Sequence, residues 1–162
     1  MVILGLDPGT SRIGYGVIEK EGQSLRYLDC GVFEIEDSGR GEKLERLEKL
    51  LVRLLKKYRP QLAVVESLFF SKNKKTAIAV AEARGVILLS LTKQNVRFLE
   101  VTPNEAKATV SGWGGSGKEA IKRAVFLLLK IKKLKVLDDA TDALAIAITG
   151  AVRYRKPVID RM

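Results

Sequence analysis

Four acidic side chains stand at positions from which a folded chain can bring them to one point. Two of them end apolar runs, and the other two lie three residues apart at the start of an alanine-rich stretch; they are Asp7, Glu66, Asp139 and Asp142. Clustered carboxylates without basic partners repel one another, so such a cluster usually holds a hard cation such as Mg²⁺. The four residues therefore predict a metal site built from carboxylate oxygens.

Each of these residues also has an ordinary structural interpretation. Asp7 opens an Asp-Pro-Gly turn, Asp138 is a candidate N-cap, and Asp139 in a first helical turn suits the helix dipole. Glu66 is harder to explain in this way, because a charge that ends a buried strand must be solvated, paired or metal-bound. Asp142 shares a helix face with Asp139 and precedes an apolar helical run. The combination indicates function more strongly than any single residue.

The charge balance and the lack of histidine narrow the chemistry. The 162 residues include 29 Lys and Arg against 19 Asp and Glu, with a net charge of +10 and no histidine. Histidine-based nucleophilic pairs and histidine metal ligands are therefore excluded. The excess of positive charge favours an anionic binding partner. The alternative is that the charge only keeps the protein soluble. An acidic pocket within a basic surface predicts metal-dependent chemistry on nucleic-acid phosphates.

The sequence lacks the features of a secreted or membrane-spanning protein. Cys30 is the single cysteine, so no internal disulfide is expected. No signal-peptide pattern is visible, and no apolar stretch reaches the roughly 18 residues that a membrane span requires. We therefore predict a cytoplasmic protein that does not act at a membrane.

Hydrophobic periodicity predicts the elements that position the acidic residues. Leucines at helical spacing along 44–58 predict an amphipathic helix that ends at Pro60. Gly85 lies inside a second predicted helix. Glycine lowers helix stability relative to alanine, so its presence predicts a close approach of the helix backbone to the sheet or to a second copy of the chain. No helix is predicted between residues 102 and 117. The predicted strands cover 2–7, 13–19, 25–35, 61–66 and 96–101, and the remaining predicted helices begin near 74, 118 and 139.

This order of elements predicts an α/β fold. Three meandering strands followed by alternating helices and strands give a mixed five-stranded sheet flanked by helices. No linker or composition break divides the chain, so residues 1–162 are predicted to form a single domain. In such a fold the carboxylates that end the first and fourth strands meet the start of the last helix near one end of the sheet.

A glycine-rich segment, GWGGSGKE at 112–119, nearly matches the phosphate-binding loop of nucleotide hydrolases. Glu119 replaces the Ser or Thr that would hold Mg²⁺, and no buried strand leads directly into the segment. We therefore reject a nucleoside-triphosphate site. A basic glycine-rich loop near DNA phosphates is the preferred interpretation, and a mobile surface loop is the alternative.

Basic and aromatic residues follow Glu66 closely. Phe69 and Phe70 stand just before a group of lysines, a combination that suits phosphate contact together with base stacking. The alternative is that one of the two phenylalanines faces the core. A second basic region covers 102–135. The predicted DNA-binding residues are Phe69, Phe70, Lys72, Lys74, Lys75, Lys107, Lys118, Lys122 and Arg123.

Several of these segments resemble the RuvC Holliday-junction resolvases of the ribonuclease H-like superfamily. The most specific are VVESLFFSKN at 64–73 and DDATDALAIAIT at 138–149. LGLDPGTSRIGYGVIE at 4–19 and TPNEAKATVSG at 102–112 match as well. The segments run in the family's order and cover nearly the whole chain, although the Asp-Pro-Gly-Thr turn alone is shared with actin-like ATPases.

The resemblance assigns roles to individual residues. It implies that Lys107 and Lys118 act near the scissile phosphate and that Phe69 stacks on bases at the junction centre. Two aspartates, Asp138 and Asp139, stand side by side, so Asp138 is an alternative ligand. The spacing to Asp142 favours Asp139. The implied catalytic metal ligands are Asp7, Glu66, Asp139 and Asp142.

The resemblance further implies an enzyme that cuts two opposed strands of a four-way DNA junction as a homodimer. It implies Mg²⁺ as cofactor, with Mn²⁺ as an alternative and two ions per site, and a RuvA/RuvB branch-migration complex as partner. The products would carry 5′-phosphate and 3′-hydroxyl ends. A ribonuclease H acting on RNA–DNA hybrids and a non-catalytic junction-binding module are the rival hypotheses. An actin-like ATPase would need two such domains, and the chain is too short for them.

Overall fold

The computed structural model describes residues 1–35, 39–67 and 74–154, except for the side chains of Lys74 and Lys75. The strands of this part of the chain are β1 (Val2–Asp7), β2 (Arg12–Glu21), β3 (Ser24–Glu34), β4 (Leu62–Glu66) and β5 (Arg97–Val101). Its helices are α1 (Arg40–Tyr58), α2 (Lys74–Lys93), α3 (Pro103–Ser111), α4 (Lys118–Leu128) and α5 (Asp138–Arg153).

The strands form one mixed sheet in the order β3-β2-β1-β4-β5. β1 pairs antiparallel with β2, whereas the β1–β4 and β4–β5 pairs are parallel. The register aligns Leu6 of β1 with Val65 of β4, so both strands end at the same edge of the sheet with their next residues, Asp7 and Glu66. The predicted α/β fold with a mixed five-stranded sheet is confirmed.

Helices cover both faces of the sheet, and the alternation of strand residues shows which face each side chain occupies. Leu4 and Leu6 of β1 pack with buried leucines of α1 such as Leu51 on one face. Ile3 of β1 and Val64 of β4 pack with α5 on the other face. Period-two alternation therefore places Asp7 and Glu66 on the face that α5 covers.

Glycines allow α5 to lie directly against this face. A β-carbon built on Gly5 would stand 2.1 Å from the carbonyl oxygen of Ala143, and one built on Gly14 would stand 2.1 Å from that of Asp139. Real β-carbons never approach backbone this closely, so both positions require glycine. Because Gly14 pairs with Asp7 in the sheet, this contact brings the first turn of α5 beside the end of β1.

One helix was not predicted, and one of the two neighbours predicted for Gly85 is not found in the described part of the chain. The segment after β5 forms α3, whose start is fixed by a capping box in which Thr102 N–H donates to Glu105 Oε2 at 2.7 Å. Gly85 was predicted to approach the sheet closely, but within the described residues a β-carbon there would meet no atom within 4 Å. Its other predicted neighbour, a second copy of the chain, stays a prediction.

Candidate metal and nucleic-acid site

The ends of β1 and β4 bring two of the predicted ligands together. Asp7 and Glu66 follow the paired residues Leu6 and Val65 and point to the same face of the sheet. The two carboxyl groups are close enough for each to act on the pKa of the other. Two neighbouring acidic groups of this kind cannot both ionise at low cost.

The first turns of α5 supply the other two predicted ligands. Asp142 is half-buried, and its charge and that of Asp139 act on Asp7. Asp138 is not the N-cap, because α5 begins after Leu137 and Asp138 is its first residue. The Asp138 carboxylate lies 3.1 Å from Lys118 Nζ and is mostly exposed. This geometry favours Asp139 over Asp138 as a member of the cluster.

Burial and mutual repulsion raise the pKa values of three of these carboxyl groups. Burial, together with the charges of Glu66, Asp142 and Asp139, raises the pKa of Asp7 to about 8. Burial also raises the pKa of Glu66 and that of Asp142, and the Lys107 charge opposes both shifts. A cation placed among these groups would remove the cause of the repulsion.

The residues fit a hard divalent cation by their donor chemistry. All four donors are carboxylate oxygens, which Mg²⁺ prefers, and softer cysteine or histidine ligands are lacking in the sequence near them. Within the described parts of the chain, no three acidic side chains already surround one point closely enough to form a finished metal site. The fit therefore rests on the donor type and on the buried, mutually repelling charges.

Lys107 and Lys118 lie beside the acidic residues, and their role at a scissile phosphate stays a prediction. Lys107 on α3 lowers the pKa values of Glu66 and Asp142 through its charge, so it is close to both. Lys118 is the first residue of α4 and contacts Asp138. The two lysines surround a strongly acidic centre with positive charge, which suits a phosphate held over bound cations.

Arg12 is a neighbour of the site that sequence reasoning missed. Its Nε lies 3.7 Å from Asp139 Oδ2, and more than half of its side chain is exposed. Arg12 begins β2 just after the Asp-Pro-Gly-Thr-Ser turn. Arg12 lies two residues before Gly14, which pairs with Asp7 in the sheet. This short distance along β2 is the signal that could have placed Arg12 near the acidic residues.

The remaining predicted DNA-binding residues fall into two groups. On α4, Lys122 Nζ lies 5.9 Å from the ring centroid of Phe126, and Arg123 is exposed, so neither is placed against the carboxylates. Phe69, Phe70 and Lys72 lie outside the described residues. Lys74 and Lys75 form the first turn of α2, but their side chains are outside the description. The glycine-rich segment at 112–117 follows a helix, which agrees with the rejection of a nucleotide site.

The raised pKa of Asp7 predicts how the metal-free protein responds to pH. The folded-state pKa of about 8 lies above the ordinary value of 3.8, so between these pH values the folded protein keeps a proton that the unfolded chain releases. Its free energy of unfolding therefore falls as the pH rises. We expect the melting temperature in EDTA to fall by roughly 5 °C or more from pH 5 to pH 8, and Mg²⁺ to raise it at pH 8.

Circular dichroism melts of the wild type and of Asp7→Asn measure this effect. The amide cannot ionise, so the variant should show a flatter pH profile and a smaller response to Mg²⁺. An equally steep fall in both proteins would show that Asp7 is not the source of the pH dependence.

The fold and the site together define the class of protein. A sheet of order β3-β2-β1-β4-β5, with carboxylates at the ends of β1 and β4 facing the helix that carries two more, is a ribonuclease H-like nuclease fold.

Within the described residues, no helix is long and apolar enough to cross a membrane.

Comparison with known proteins identifies the family. A sequence model described as crossover junction endodeoxyribonuclease RuvC matches residues 3–150. The RuvC of Petrotoga mobilis is 47% identical over 148 residues, which are 91% of each chain. The RuvC of Thermosipho melanesiensis is 42% identical over 156 residues, which are 96% of this chain and 99% of that one. The chain therefore belongs to the crossover junction endodeoxyribonuclease RuvC family.

A solved structure agrees with this assignment. Thermus thermophilus RuvC in complex with Holliday junction substrate superposes with a TM-score of 0.87 at 29% identity, over 93% of each chain. The family is one of metal-dependent nucleases. The resemblance drawn from the sequence motifs is confirmed.

Proposed function

We propose that this chain resolves four-way DNA junctions by cutting two opposed strands and leaving 5′-phosphate and 3′-hydroxyl ends. The observation that carries the proposal is the buried acidic cluster of β1, β4 and α5, with Lys107 and Lys118 beside it. The similarity to a RuvC structure that contains Holliday junction substrate supports the junction as the substrate.

The proposed roles follow from the placement of each side chain. Asp7, Glu66, Asp139 and Asp142 hold the metal, which we propose to be two Mg²⁺ ions, with Mn²⁺ as an alternative. When bound, such ions activate a water molecule and stabilise the leaving 3′-oxygen. Lys107 and Lys118 bind the scissile phosphate and offset the charge that develops on it. Arg12 beside Asp139 adds a third positive charge at the rim.

The contacts to the rest of the junction are proposed from the sequence. Phe69 and Phe70 come three and four residues after Glu66, close enough in the chain to reach DNA bound at the site. The neighbouring lysines would contact DNA phosphates; they are Lys72, Lys74 and Lys75. Lys122 and Arg123 extend the positive surface of α4 beyond Lys118. These residues would bind the junction without touching the reacting atoms.

The proposed function is tested with labelled substrates. The purified protein is incubated with a four-way junction, a matched duplex and an RNA–DNA hybrid, each with Mg²⁺ or EDTA. Metal-dependent paired nicks in opposed strands of the junction are expected. Cutting of the hybrid instead would assign a ribonuclease H activity. Binding without cutting under either condition would leave a junction-binding module and overturn the proposal.

We further propose that the active protein is a homodimer in which α2 faces α2. Ile78 and Leu89 are 55% and 54% exposed, and Gly85 lies between them on the same helix face, with no described atom within 4 Å of a β-carbon built on it. Such an apolar stripe around a glycine allows two helix backbones to approach closely. Paired nicks in opposed strands need two active sites related by a two-fold axis, which this arrangement supplies.

The remaining proposals concern the wider setting. We propose that residues 1–162 form one nuclease domain, that it works in the cytoplasm, and that a RuvA/RuvB-type branch-migration complex presents the junction. The exposed side of α1 carries charged residues such as Arg53 and Lys56 and is a proposed surface for such a partner. Co-purification with the branch-migration proteins would test this partnership.

Leu89→Glu tests the dimer. A buried unpaired charge at a symmetric helix contact would be costly, so we expect the variant to sediment as a monomer. Its nicks should become independent, so that single-nicked junctions accumulate. Leu127→Glu on α4 is the matched control, because Leu127 is 79% exposed and lies on another face. A Leu89→Glu protein that stays dimeric and still makes paired nicks would contradict the α2 interface.

A further inference from the structure

We infer that Trp113 binds the DNA strand at the cleavage site by stacking its indole ring on a base that the junction leaves unstacked. Trp113 lies in the loop between α3 and α4, which joins the two lysines placed beside the acidic cluster. The inference rests on the proposed function, because it requires DNA to lie over that cluster. It adds a binding residue that neither the acidic centre nor the basic residues account for.

The loop holds Trp113 in a fixed position. Ser111 Oγ lies 2.7 Å from the carbonyl oxygen of Lys107 and 3.0 Å from that of Trp113. It also lies 2.7 Å from Ser116 Oγ, and Ser116 N–H donates to the carbonyl oxygen of Trp113 at 3.2 Å. Gly112 closes α3 with a φ of 81°, a conformation that favours glycine. The backbone that carries the indole is therefore tied to the turn that carries Lys107.

One side of the indole is supported and the rest of the ring is exposed. A β-carbon built on Gly115 would stand 2.6 Å from Trp113 Cζ2, so the ring lies across the backbone of Gly115. Trp113 is nevertheless 69% exposed. A large apolar ring that lies against its own loop on one side and is otherwise open to solvent offers a flat surface to a flat partner.

The surroundings identify the partner as a nucleotide base. Lys107 on α3 and Lys118 on α4 flank the loop in the chain, and both act on the carboxylates through their charges. A segment that combines cations with an exposed aromatic ring is the usual arrangement for binding unstacked nucleotides. A protein partner is less well matched, because the exposed leucines of α4, Leu127 and Leu128, lie at its far end, roughly 15 Å along the helix axis.

Trp113 is the only tryptophan of the chain, so the intrinsic tryptophan fluorescence reports on this residue alone. The full-length protein in EDTA is titrated with a four-way junction while a gel shift records binding in parallel. We expect the indole emission to be quenched as the junction saturates the protein, and quenching by acrylamide to become weaker. Unchanged emission and unchanged acrylamide access with the junction fully bound would overturn the inference. So would the same emission change on raising the protein concentration without DNA, which would indicate a contact between protein molecules.

Two substitutions separate stacking from a structural role. Trp113→Ala should weaken junction binding about 5- to 100-fold, whereas Trp113→Phe, which keeps an aromatic face, should recover most of the loss. Leu127→Ala, which removes an equally exposed apolar side chain elsewhere, should have no effect. Equal losses in the Ala and Phe variants would overturn the stacking role. If the wild type itself neither binds nor cuts the junction in the gel, the proposed function fails instead, so the two failures are distinct.

Discussion

Asp7→Asn is expected to abolish junction cleavage while the protein still folds and binds the junction. The substitution keeps the size of the side chain but removes one of the charges that would hold the metal. We expect the cleavage rate with Mg²⁺ to fall by at least about 10³-fold. Junction affinity should stay the same or improve, because a negative charge near the DNA phosphates is removed. Stability should not fall, since burial and the charges of Glu66 and Asp142 already favour the neutral form of Asp7.

Variants of α5 provide the matched controls for this prediction. Asp139→Asn should behave like Asp7→Asn, because the Asp139 charge acts on Asp7. Asp138→Asn should change the cleavage rate by no more than a few-fold, because Asp138 is exposed and paired with Lys118. Single-turnover cleavage and gel-shift affinity are measured for all three proteins. Equal losses in the Asp138 and Asp139 variants, or joint loss of binding and cleavage in a folded Asp7→Asn protein, would contradict the assigned roles.

The elements that carry strong periodicity were predictable from the sequence. The leucine stripe of α1 was predicted from its spacing, and Leu47, Leu51, Leu54 and Leu55 are buried as expected. The apolar runs that end at Asp7 and Glu66 were predicted as strands, and their parallel pairing brings both acids to one edge. Local patterns of this kind survive folding because burial of the apolar face depends on them.

Features that depend on tertiary contact were not predictable in the same way. α3 is only nine residues long and has a weakly amphipathic sequence, so the capping box of Thr102 and Glu105 is the main sequence signal for it. Arg12 reaches Asp139 only because β2 folds back beside β1. The spacing to Asp142 favoured Asp139 over Asp138, but the ion pair between Asp138 and Lys118, which agrees with that choice, depends on how α4 packs beside α5. Interior position in a helix does not predict close contact either: a β-carbon on Gly85 of α2 would meet no described atom within 4 Å, whereas one on Gly150 of α5 would stand 2.1 Å from Val64 Cγ2.

Gly14→Ala is expected to damage the site without touching any charged group. The new β-carbon would stand 2.1 Å from the carbonyl oxygen of Asp139, whereas an ordinary van der Waals contact needs at least 3.4 Å. Because the obstacle is backbone, no side chain can rotate away, and the first turn of α5 must shift by roughly 1 Å. That turn carries Asp139 and leads to Asp142, and a shift of this size at reacting groups costs about 10²-fold in rate. The overpacking should also lower the free energy of unfolding by about 1–3 kcal/mol.

Gly41→Ala is the control that separates the position from the type of substitution. Gly41 lies in the first turn of α1, where a β-carbon would meet no described atom within 4 Å, so alanine should keep activity and slightly raise stability. Cleavage rates are measured well below the melting temperature of each protein, so that loss of folded protein does not enter the comparison. If Gly14→Ala kept full activity and an unchanged melting temperature, α5 would not lie against β2 at this distance. If its activity fell only in proportion to the unfolded fraction, the glycine would serve stability alone, and the placement of the α5 carboxylates would have to depend on other contacts.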